Sequence, residues 1–169
     1  MGEIKIIATA EAMPRKVEGN EEVHLVDASE EWIKTFHGNW QRKFCTTESC
    51  QTMAVEAAQK VLMSSGIPKD EIGMVLVATT SSDHVFPNLS IRVQNALGLK
   101  KEEVISFDIG AAGIGFQYGM EICRGLLEHC QKKYALLIGS EQMSKITEMA
   151  DRTVCVLNGS GAQAAVLAI

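Results

Sequence analysis

One nearly continuous apolar run in the middle of the chain sets the class of fold. Residues 73–80, with the sequence GMVLVATT, have the length of a strand and show no regular alternation of polar and apolar side chains. Such a run is typical of a strand that is covered on both faces, as in a parallel or mixed sheet between layers of helices. The run therefore predicts an α/β protein in which helices lie on both faces of a mixed sheet.

Two helices are predicted on either side of this strand in the sequence. The first starts after Thr47 and ends at Gly66, where glycine supplies the left-handed residue of a helix cap. The second spans residues 90–97 and is closed by Gly98. The apolar residues that share one face of the first helix are Met53, Ala54, Ala57, Ala58, Val61 and Leu62. This stripe predicts a helix with one buried face.

Shorter patterns predict the remaining elements. Asp27 and Glu30 have the spacing of a helix capping box, and Gly38 ends the short helix that follows them. A glycine-rich turn at residues 110–115 opens a helix that runs to about Cys130. Strands are predicted at residues 2–10, 104–109, 134–139, 153–157 and 164–169, with a turn at residues 158–161 joining the last two as a hairpin. This alternation of strands and helices, ending in an antiparallel pair, indicates a mixed sheet, and we expect five strands in that sheet.

The size and composition of the chain indicate a single globular domain over residues 1–169. Hydrophobic residues make up 46% of the chain and charged residues 22%, and the net charge is -5. The basic residues form scattered pairs such as Arg42 and Lys43, which we expect on the solvated surface, and not the basic stripe of a nucleic-acid-binding protein. No apolar run reaches the roughly 18 residues that a membrane span needs, and the first residues lack a signal-peptide pattern. We expect a cytoplasmic protein that binds neither nucleic acid nor membrane.

The cysteines and histidines indicate neither disulfides nor a metal site. The 5 cysteines form no C-x-x-C pair, and an odd number fits a disulfide framework poorly. The 4 histidines have no cysteine or histidine at the spacing of zinc ligands. We expect reduced thiols, no metal and no cofactor.

Several blocks of sequence, in the same order and at the same spacing, resemble β-ketoacyl-acyl carrier protein synthase III. They are VDASEEWIKT at 26–35, GIPKDEIGMVLVATT at 66–80, Phe86 with Pro87, FDIGAAGIGFQYG at 107–119, YALLIGSE at 134–141, Asp151 with Arg152, and LNGSGAQAAVLA at 157–168. The resemblance covers essentially the whole chain. It implies a thiolase-type fold built from two similar halves, of which this chain resembles the amino-terminal one.

The resemblance also implies a missing nucleophile. In the resembled family the first half supplies a cysteine that attacks acetyl-coenzyme A, and the second half supplies a histidine and an asparagine that help to decarboxylate malonyl-acyl carrier protein. The matching position here is Gly113, at the start of a helix whose dipole would lower the pKa of a thiol. Cys123 and Cys155, the latter in the predicted strand 153–157, are interpreted as small buried apolar residues, and Ser140 has no matching base. We therefore predict that the chain alone has no catalytic residue and is inactive.

A coenzyme A site at Trp32 and Arg152 is a further implication of the resemblance. The tryptophan of the family stacks on the adenine of coenzyme A, and the arginine of an Asp-Arg pair assists it. Two neighbouring positions depart from the family, because its threonine before the helix is Ala28 here and an arginine expected after Trp32 is Phe36. A second interpretation of Trp32, as an aromatic residue of the core or of an interface, stays open.

Three functional interpretations fit these residues. The leading one is a catalytically deficient first-half chain that pairs with a complementary second-half chain and has acyl-coenzyme A or acyl carrier protein as candidate ligands. The second is a non-catalytic structural or regulatory subunit of a heteromeric condensing enzyme. The third is a truncated piece of such an enzyme.

The helix after the glycine-rich turn predicts that the chain is not a monomer. Its polar stripe consists of Gln117, Glu121, Arg124 and Glu128, and its wide apolar arc consists of Ile114, Phe116, Tyr118, Met120, Ile122, Cys123, Leu126 and Leu127. One five-stranded sheet can cover only part of such an arc. By the resemblance, this helix packs against the second half, and the strand at 104–109 pairs across a dimer. We expect a homodimer or a complex with a second-half chain.

Overall fold

The computed structural model describes residues 2–22 and 28–169. Its strands are β1 Lys5–Ala12, β2 Lys16–Gly19, β3 Gln41–Phe44, β4 Ile72–Ala78, β5 Ile105–Ile109, β6 Tyr134–Gln142 and β7 Ser160–Ala168. Its α-helices are α1 Glu30–His37, α2 Cys50–Ser65, α3 Leu89–Leu97, α4 Gly115–Leu127 and α5 Arg152–Cys155. None of the helices in these two ranges is both long and apolar enough to span a membrane.

Five of the strands form one mixed sheet with the order β1-β7-β6-β4-β5. Strand β4 runs parallel to β5 and β6, and β7 runs antiparallel to β6 and β1. The register places Val75 of β4 opposite Ser106 of β5 and Leu136 of β6. The predicted mixed five-stranded sheet is therefore confirmed, and β5 and β1 are its two edges.

Helices cover both faces of the sheet, as the run at residues 73–80 predicts. On one face, Val75 and Val77 of β4 join the core formed with α2 and α3. On the other face, Met74 and Leu76 join the core formed with α4. All seven residues of β4 are buried, and burying one large aliphatic side chain contributes about 1.5–3 kcal/mol to stability.

The helix ends follow the predicted cap residues closely. Ser49 and Thr52 form a capping box at the start of α2, and Gly66 ends the helix with a φ of 67°. Gly98 ends α3 in the same left-handed conformation. The short helix α1 ends at Gly38 as predicted, but its N-cap is Ser29, whose side chain accepts a hydrogen bond from the backbone N–H of Trp32. The proposed cap Asp27 lies outside the described residues.

The predicted strand at residues 153–157 is wrong, and so is its hairpin with the last strand. Asp151 accepts a hydrogen bond from the backbone N–H of Thr153 over 2.8 Å and caps the short helix α5. The β-branched residues of this segment favour a strand locally, but Cys155 and Val156 pack against Ile33 of α1 instead. The final strand pairs with β6 and β1.

A second, two-stranded sheet was not predicted. Strands β2 and β3 pair antiparallel, with Lys16 opposite Phe44 and Gly19 opposite Gln41. Their sequences, KVEG and QRKF, are too short and too polar to give the alternation of a half-buried strand. This two-stranded sheet lies beside the segment that contains α5, because Arg42 of β3 donates to the carbonyl oxygen of Val156.

Candidate functional site

The carboxyl ends of the three parallel strands meet at one edge of the sheet. Thr79 follows β4, and its backbone N–H donates to the carbonyl oxygen of Ile109 at the end of β5 over 3.1 Å. Cys50, the first residue of α2, donates its thiol to the carbonyl oxygen of Ser140 in β6 over 3.2 Å and lies 3.5 Å from the Thr79 hydroxyl. In open α/β sheets, ligands bind beside the carboxyl ends of the parallel strands, so this end of the sheet is a candidate site.

Gly113 lies at this edge, in the turn Ala112–Ile114 that leads from β5 into α4. A Cβ atom added at Gly113 would meet no atom within 4 Å, and the φ of Gly113 is not positive. The backbone therefore does not require glycine here, and a side chain would enter open space. Ala112 beside it has a φ of 45°, in the left-handed region that few residues other than glycine adopt.

The thiols of Cys50, Cys123 and Cys155 and the hydroxyl of Ser140 are poorly suited to act as a nucleophile. Burial raises the pKa of Cys50 and of Cys155, and it raises the pKa of Cys123 to about 12. Ser140 is 1% exposed and donates its hydroxyl to the carbonyl oxygen of Cys50 over 2.8 Å. A buried thiol that stays protonated is inert, which agrees with the structural interpretation of Cys123 and Cys155.

Trp32 of α1 and Arg152 of α5 are brought together although 120 positions separate them. The guanidinium carbon of Arg152 lies 5.1 Å from the ring centroid of Trp32, within the range of a cation–π interaction. The ring centroids of Phe36 and His37 lie 5.3 and 5.4 Å from that of Trp32. Trp32 is partly buried and also packs on the small core of Ile33, Cys155 and Val156. Both interpretations of Trp32, as ligand platform and as core aromatic, are therefore compatible with its position.

Arg42, which was expected on the solvated surface, is 4% exposed and holds the α5 segment in place. Its Nη1 donates to the side-chain oxygen of Asn20 over 2.8 Å and to the carbonyl oxygen of Val156 over 3.1 Å. Asn39 adds a bond of 3.0 Å to the carbonyl oxygen of Leu157. Arg42 and Lys43 were predicted as a charged surface pair, and no local sequence pattern indicates that this guanidinium is buried.

Two carboxylates hold the loop after β4 against the end of β6. Glu141 accepts from the backbone N–H of Thr80 over 2.8 Å and from the hydroxyl of Ser81. Asp83 pairs with Lys145 and accepts from the backbone N–H of Gln51 over 2.6 Å. Burial raises the pKa of Asp83, but the bonds from Lys145 and Gln51 outweigh burial and hold that pKa below its usual value. This loop leads to Val85 and Phe86, which are exposed.

The residues in the two described ranges contain no group of three His, Cys, Asp or Glu side chains that could hold a metal ion. The carboxyl ends of the parallel strands thus offer backbone groups and an open position at Gly113, and helices α1 and α5 separately offer a tryptophan in contact with an arginine. Such a surface can bind a planar ring.

Comparison with known proteins agrees with this geometry. The family described as 3-Oxoacyl-[acyl-carrier-protein (ACP)] synthase III matches residues 107–168. Beta-ketoacyl-[acyl-carrier-protein] synthase III of Yersinia pestis (strain Pestoides F) is 39% identical over 165 residues, which are 96% of this chain and 52% of the relative. This chain belongs to the β-ketoacyl-acyl carrier protein synthase III family.

The solved structures of synthase III proteins support the family and the fold. The 3-oxoacyl-[acyl-carrier-protein] synthase III of Aquifex aeolicus VF5 superposes with a TM-score of 0.92 at 34% identity, over 99% of this chain and 54% of that one. The priming β-ketosynthase of the R1128 polyketide biosynthetic pathway gives a TM-score of 0.90 at 30% identity. The thiolase-like fold is confirmed, and the chain spans about half the length of the synthase III relatives that it matches.

Proposed function

We propose that this chain is a synthase III half that contributes a thioester-binding surface but cannot carry out condensation by itself. The proposal rests on Gly113, which lies in the turn before α4 and which the family resemblance matches to the position of the nucleophilic cysteine. In acyl transfer, a thiolate attacks the thioester carbonyl, a new C–S bond forms, and coenzyme A leaves as its thiolate. Glycine offers no atom for that bond, so the chain is expected to form no acyl-enzyme.

The ligand that fits the remaining surface best is acyl-coenzyme A. Its adenine is a planar ring of the kind that stacks on tryptophan and arginine, and Trp32 and Arg152 lie in contact on adjoining elements. Acyl carrier protein is the second candidate ligand of the same surface. We assign no metal or other cofactor to the chain.

The partner that we propose is a complementary second-half chain, with a second copy of this chain as the alternative. Residues 1–169 are proposed to form a single domain, of which one face of α4 and the edge strand β5 are left uncovered. Ile114 is 47% exposed, Tyr118 is 52% exposed, and Ile105 of β5 is 43% exposed. Exposed apolar side chains and an open edge strand fit surfaces that a partner covers. We place this complex in the cytoplasm.

A structural or regulatory subunit is the second candidate function, and the open Gly113 favours it. A chain that has lost its nucleophile can keep the fold and shape a partner's site without binding ligand. A truncated piece of a longer condensing enzyme would share the same surfaces, and its parent would supply the second half.

The deciding experiment supplies radiolabelled acetyl-coenzyme A and malonyl-acyl carrier protein to the purified chain, alone and co-expressed with a second-half protein that bears the histidine and asparagine. We expect no condensation product from the chain alone. Saturable binding of acyl-coenzyme A to the chain, lost in Trp32→Ala, would support the ligand-binding proposal over the structural one. Condensation by the isolated chain would contradict the proposed role of Gly113.

A further inference from the structure

The loop between β4 and α3 carries an exposed apolar tip. Residues 84–86, with the sequence HVF, form this tip and lie in neither a helix nor a strand. Val85 is 98% exposed and Phe86 is 87% exposed. Exposed loop segments are usually the most mobile parts of a domain. The contacts on the two sides of the tip, however, restrict both of its ends.

The amino-terminal end of the tip is held through Asp83. One of its carboxylate oxygens accepts from the backbone N–H of Gln51, in the first turn of α2, over 2.6 Å. The other oxygen forms an ion pair with Lys145. The Asp83 side chain is only 12% exposed, and hydrogen bonds to an ionised carboxylate are roughly twice as strong as those between neutral groups. Asp83 is therefore a firm attachment point for the loop.

The carboxyl-terminal end of the tip is held through Arg92 of α3. Its Nε donates to the carbonyl oxygen of Pro87, the residue that follows the tip, over 3.0 Å. Its Nη1 donates to the side-chain Oε1 of Gln51 over 3.2 Å. A guanidinium presents several donors in one plane, so Arg92 binds the loop and α2 at the same time.

Gln51 is the residue at which the two attachments meet. Its backbone N–H binds Asp83, and its side-chain oxygen binds Arg92. Both bonds depend on the position of this one residue, so the loss of either lets Gln51 move and weakens the other. A separate attachment lies nearer the sheet, where Glu141 accepts from the backbone N–H of Thr80 over 2.8 Å. The tip can therefore be released while the start of the loop stays in place.

We propose that Gln51 is a positioning residue that joins Asp83 and Arg92 into one brace, and that this brace fixes or releases both ends of the tip together. While the brace is intact, Val85 and Phe86 are presented to solvent in one conformation. When the charge of Asp83 or of Arg92 is removed, both ends are freed and the tip becomes mobile. This device does not depend on whether acyl-coenzyme A binds to the chain.

Native-state proteolysis of the purified chain with thermolysin measures the mobility of the tip, because this protease cleaves before large apolar residues and needs a flexible segment. Cleavage before Val85 is identified by mass spectrometry. We expect the unmodified chain to resist cleavage there, and Gln51→Ala to raise the rate by about 2- to 13-fold, the effect of one hydrogen bond. The matched control is Gln59→Ala, an exposed position on the same helix, which should leave the rate unchanged. Gln51→Glu retains an acceptor for Arg92 and should keep the tip protected.

A double substitution tests whether the two attachments act together. Asp83→Asn and Arg92→Met should each raise the rate of cleavage. In the double variant the rate should stay at least about threefold below the product of the two single effects, since either loss already frees both ends. In the Gln51→Ala background, where the link is missing, the two effects should multiply.

Several outcomes would overturn the brace. Equal cleavage rates in Gln51→Ala and Gln59→Ala would do so, as would simple multiplication of the two single effects when Gln51 is present. Loss of protection in Gln51→Glu would show that the bond to Arg92 is not what matters. Rapid cleavage of the unmodified chain before Val85 would show that the tip is already mobile, and protection that disappears on dilution would assign its rigidity to a partner chain.

Discussion

Arg42 donates through Nη1 to the carbonyl oxygen of Val156 over 3.1 Å, which joins β3 to the residue that follows α5. The same nitrogen also holds the side-chain oxygen of Asn20 over 2.8 Å. Because α5 is a single turn of helix, it gains little stability from its own hydrogen bonds. The buried guanidinium therefore fixes the position of α5 and, with it, that of Arg152 beside Trp32.

Replacing Arg42 should destabilise the chain. Arg42→Met leaves the carbonyl oxygen of Val156 and the side chain of Asn20 without this donor, and hydrogen bonds to charged groups contribute about 1.5–3 kcal/mol each. We expect the free energy of unfolding in urea, followed by circular dichroism, to fall by about 2–3 kcal/mol. The neighbour Lys43 is the control, since Lys43→Met should change that free energy by less than about 0.5 kcal/mol. Equal losses in the two variants would contradict the role given to Arg42.

The sequence predicts an element well when the residues that stabilise it lie within that element. Helix α2 was predicted well because its stripe, Ser49 and Gly66 all lie within the element. Strand β4 was predicted because burial on both faces leaves a continuous apolar run. Segment 153–157 was misassigned because its conformation depends on contacts with Ile33, which lies more than a hundred residues away in the chain.

The candidate site was harder to predict from residues alone. Trp32 and Arg152 were paired only through the family resemblance, because nothing in their local sequences connects α1 with α5. The burial of Arg42 depends on Asn20 and Val156, which lie 22 and 114 positions away. Long-range polar pairings of this kind leave no periodic pattern in a sequence.

A cysteine introduced at Gly113 should be reactive. Its Cβ would enter open space, and the start of α4 should lower the pKa of the thiol below about 8.5. We expect Gly113→Cys to form a thioester adduct with acetyl-coenzyme A, detected by intact mass spectrometry, but to make no condensation product. Gly125→Cys is the matched control, because a Cβ there also meets no atom within 4 Å but lies near the other end of α4. Faster acylation at position 125 than at 113 would contradict the prediction.

Gly119 of α4 should tolerate alanine only if Leu137 becomes smaller. A Cβ at Gly119 would lie 2.5 Å from Cδ1 of Leu137, in the core between α4 and the sheet. We expect Gly119→Ala to lower the free energy of unfolding by about 1 kcal/mol, since overpacking outweighs the better helix propensity of alanine. The same change at the open Gly125 should raise stability by about 0.5–1 kcal/mol.

A second substitution tests whether the clash with Leu137 causes the expected loss of stability in Gly119→Ala. Leu137→Val shortens the side chain that faces Gly119, so the double variant Gly119→Ala/Leu137→Val should be more stable than the sum of the two single effects predicts, by roughly 0.5–1 kcal/mol in a double-mutant cycle. Strict additivity in thermal or urea unfolding would show that the two positions do not meet as described.

The exposed apolar surface on α4 and the open edge strand β5 predict that the chain is not a monomer in solution. Cys123 and Leu127 of α4 are buried against the sheet, but Ile114 and Tyr118 remain exposed, so one sheet covers only part of the apolar arc of this helix. Strand β5 is an edge of the sheet, and an open edge is a template for pairing with another chain.

Leaving these side chains in water forgoes stability that a partner would supply. A large apolar side chain contributes about 1.5–3 kcal/mol when it is fully buried, against a total stability of about 5–15 kcal/mol for a typical domain. A second copy of the chain or a second-half protein should therefore cover this surface. Analytical ultracentrifugation at micromolar concentration measures which species is present.

Substitutions in the two edge strands distinguish a homodimer from a complex with a second-half protein. If β5 pairs with a second copy, Ile105→Lys should convert a dimer into monomer, because a charge on an edge strand opposes further pairing. Ile7→Lys, on the opposite edge strand β1 and similarly exposed, should leave the dimer intact. A chain that aggregates alone and becomes soluble when co-expressed with a second-half protein would favour the split enzyme. A well-folded monomer that binds no hydrophobic dye would refute the argument, because the exposed residues of α4 and β5 would then need no partner.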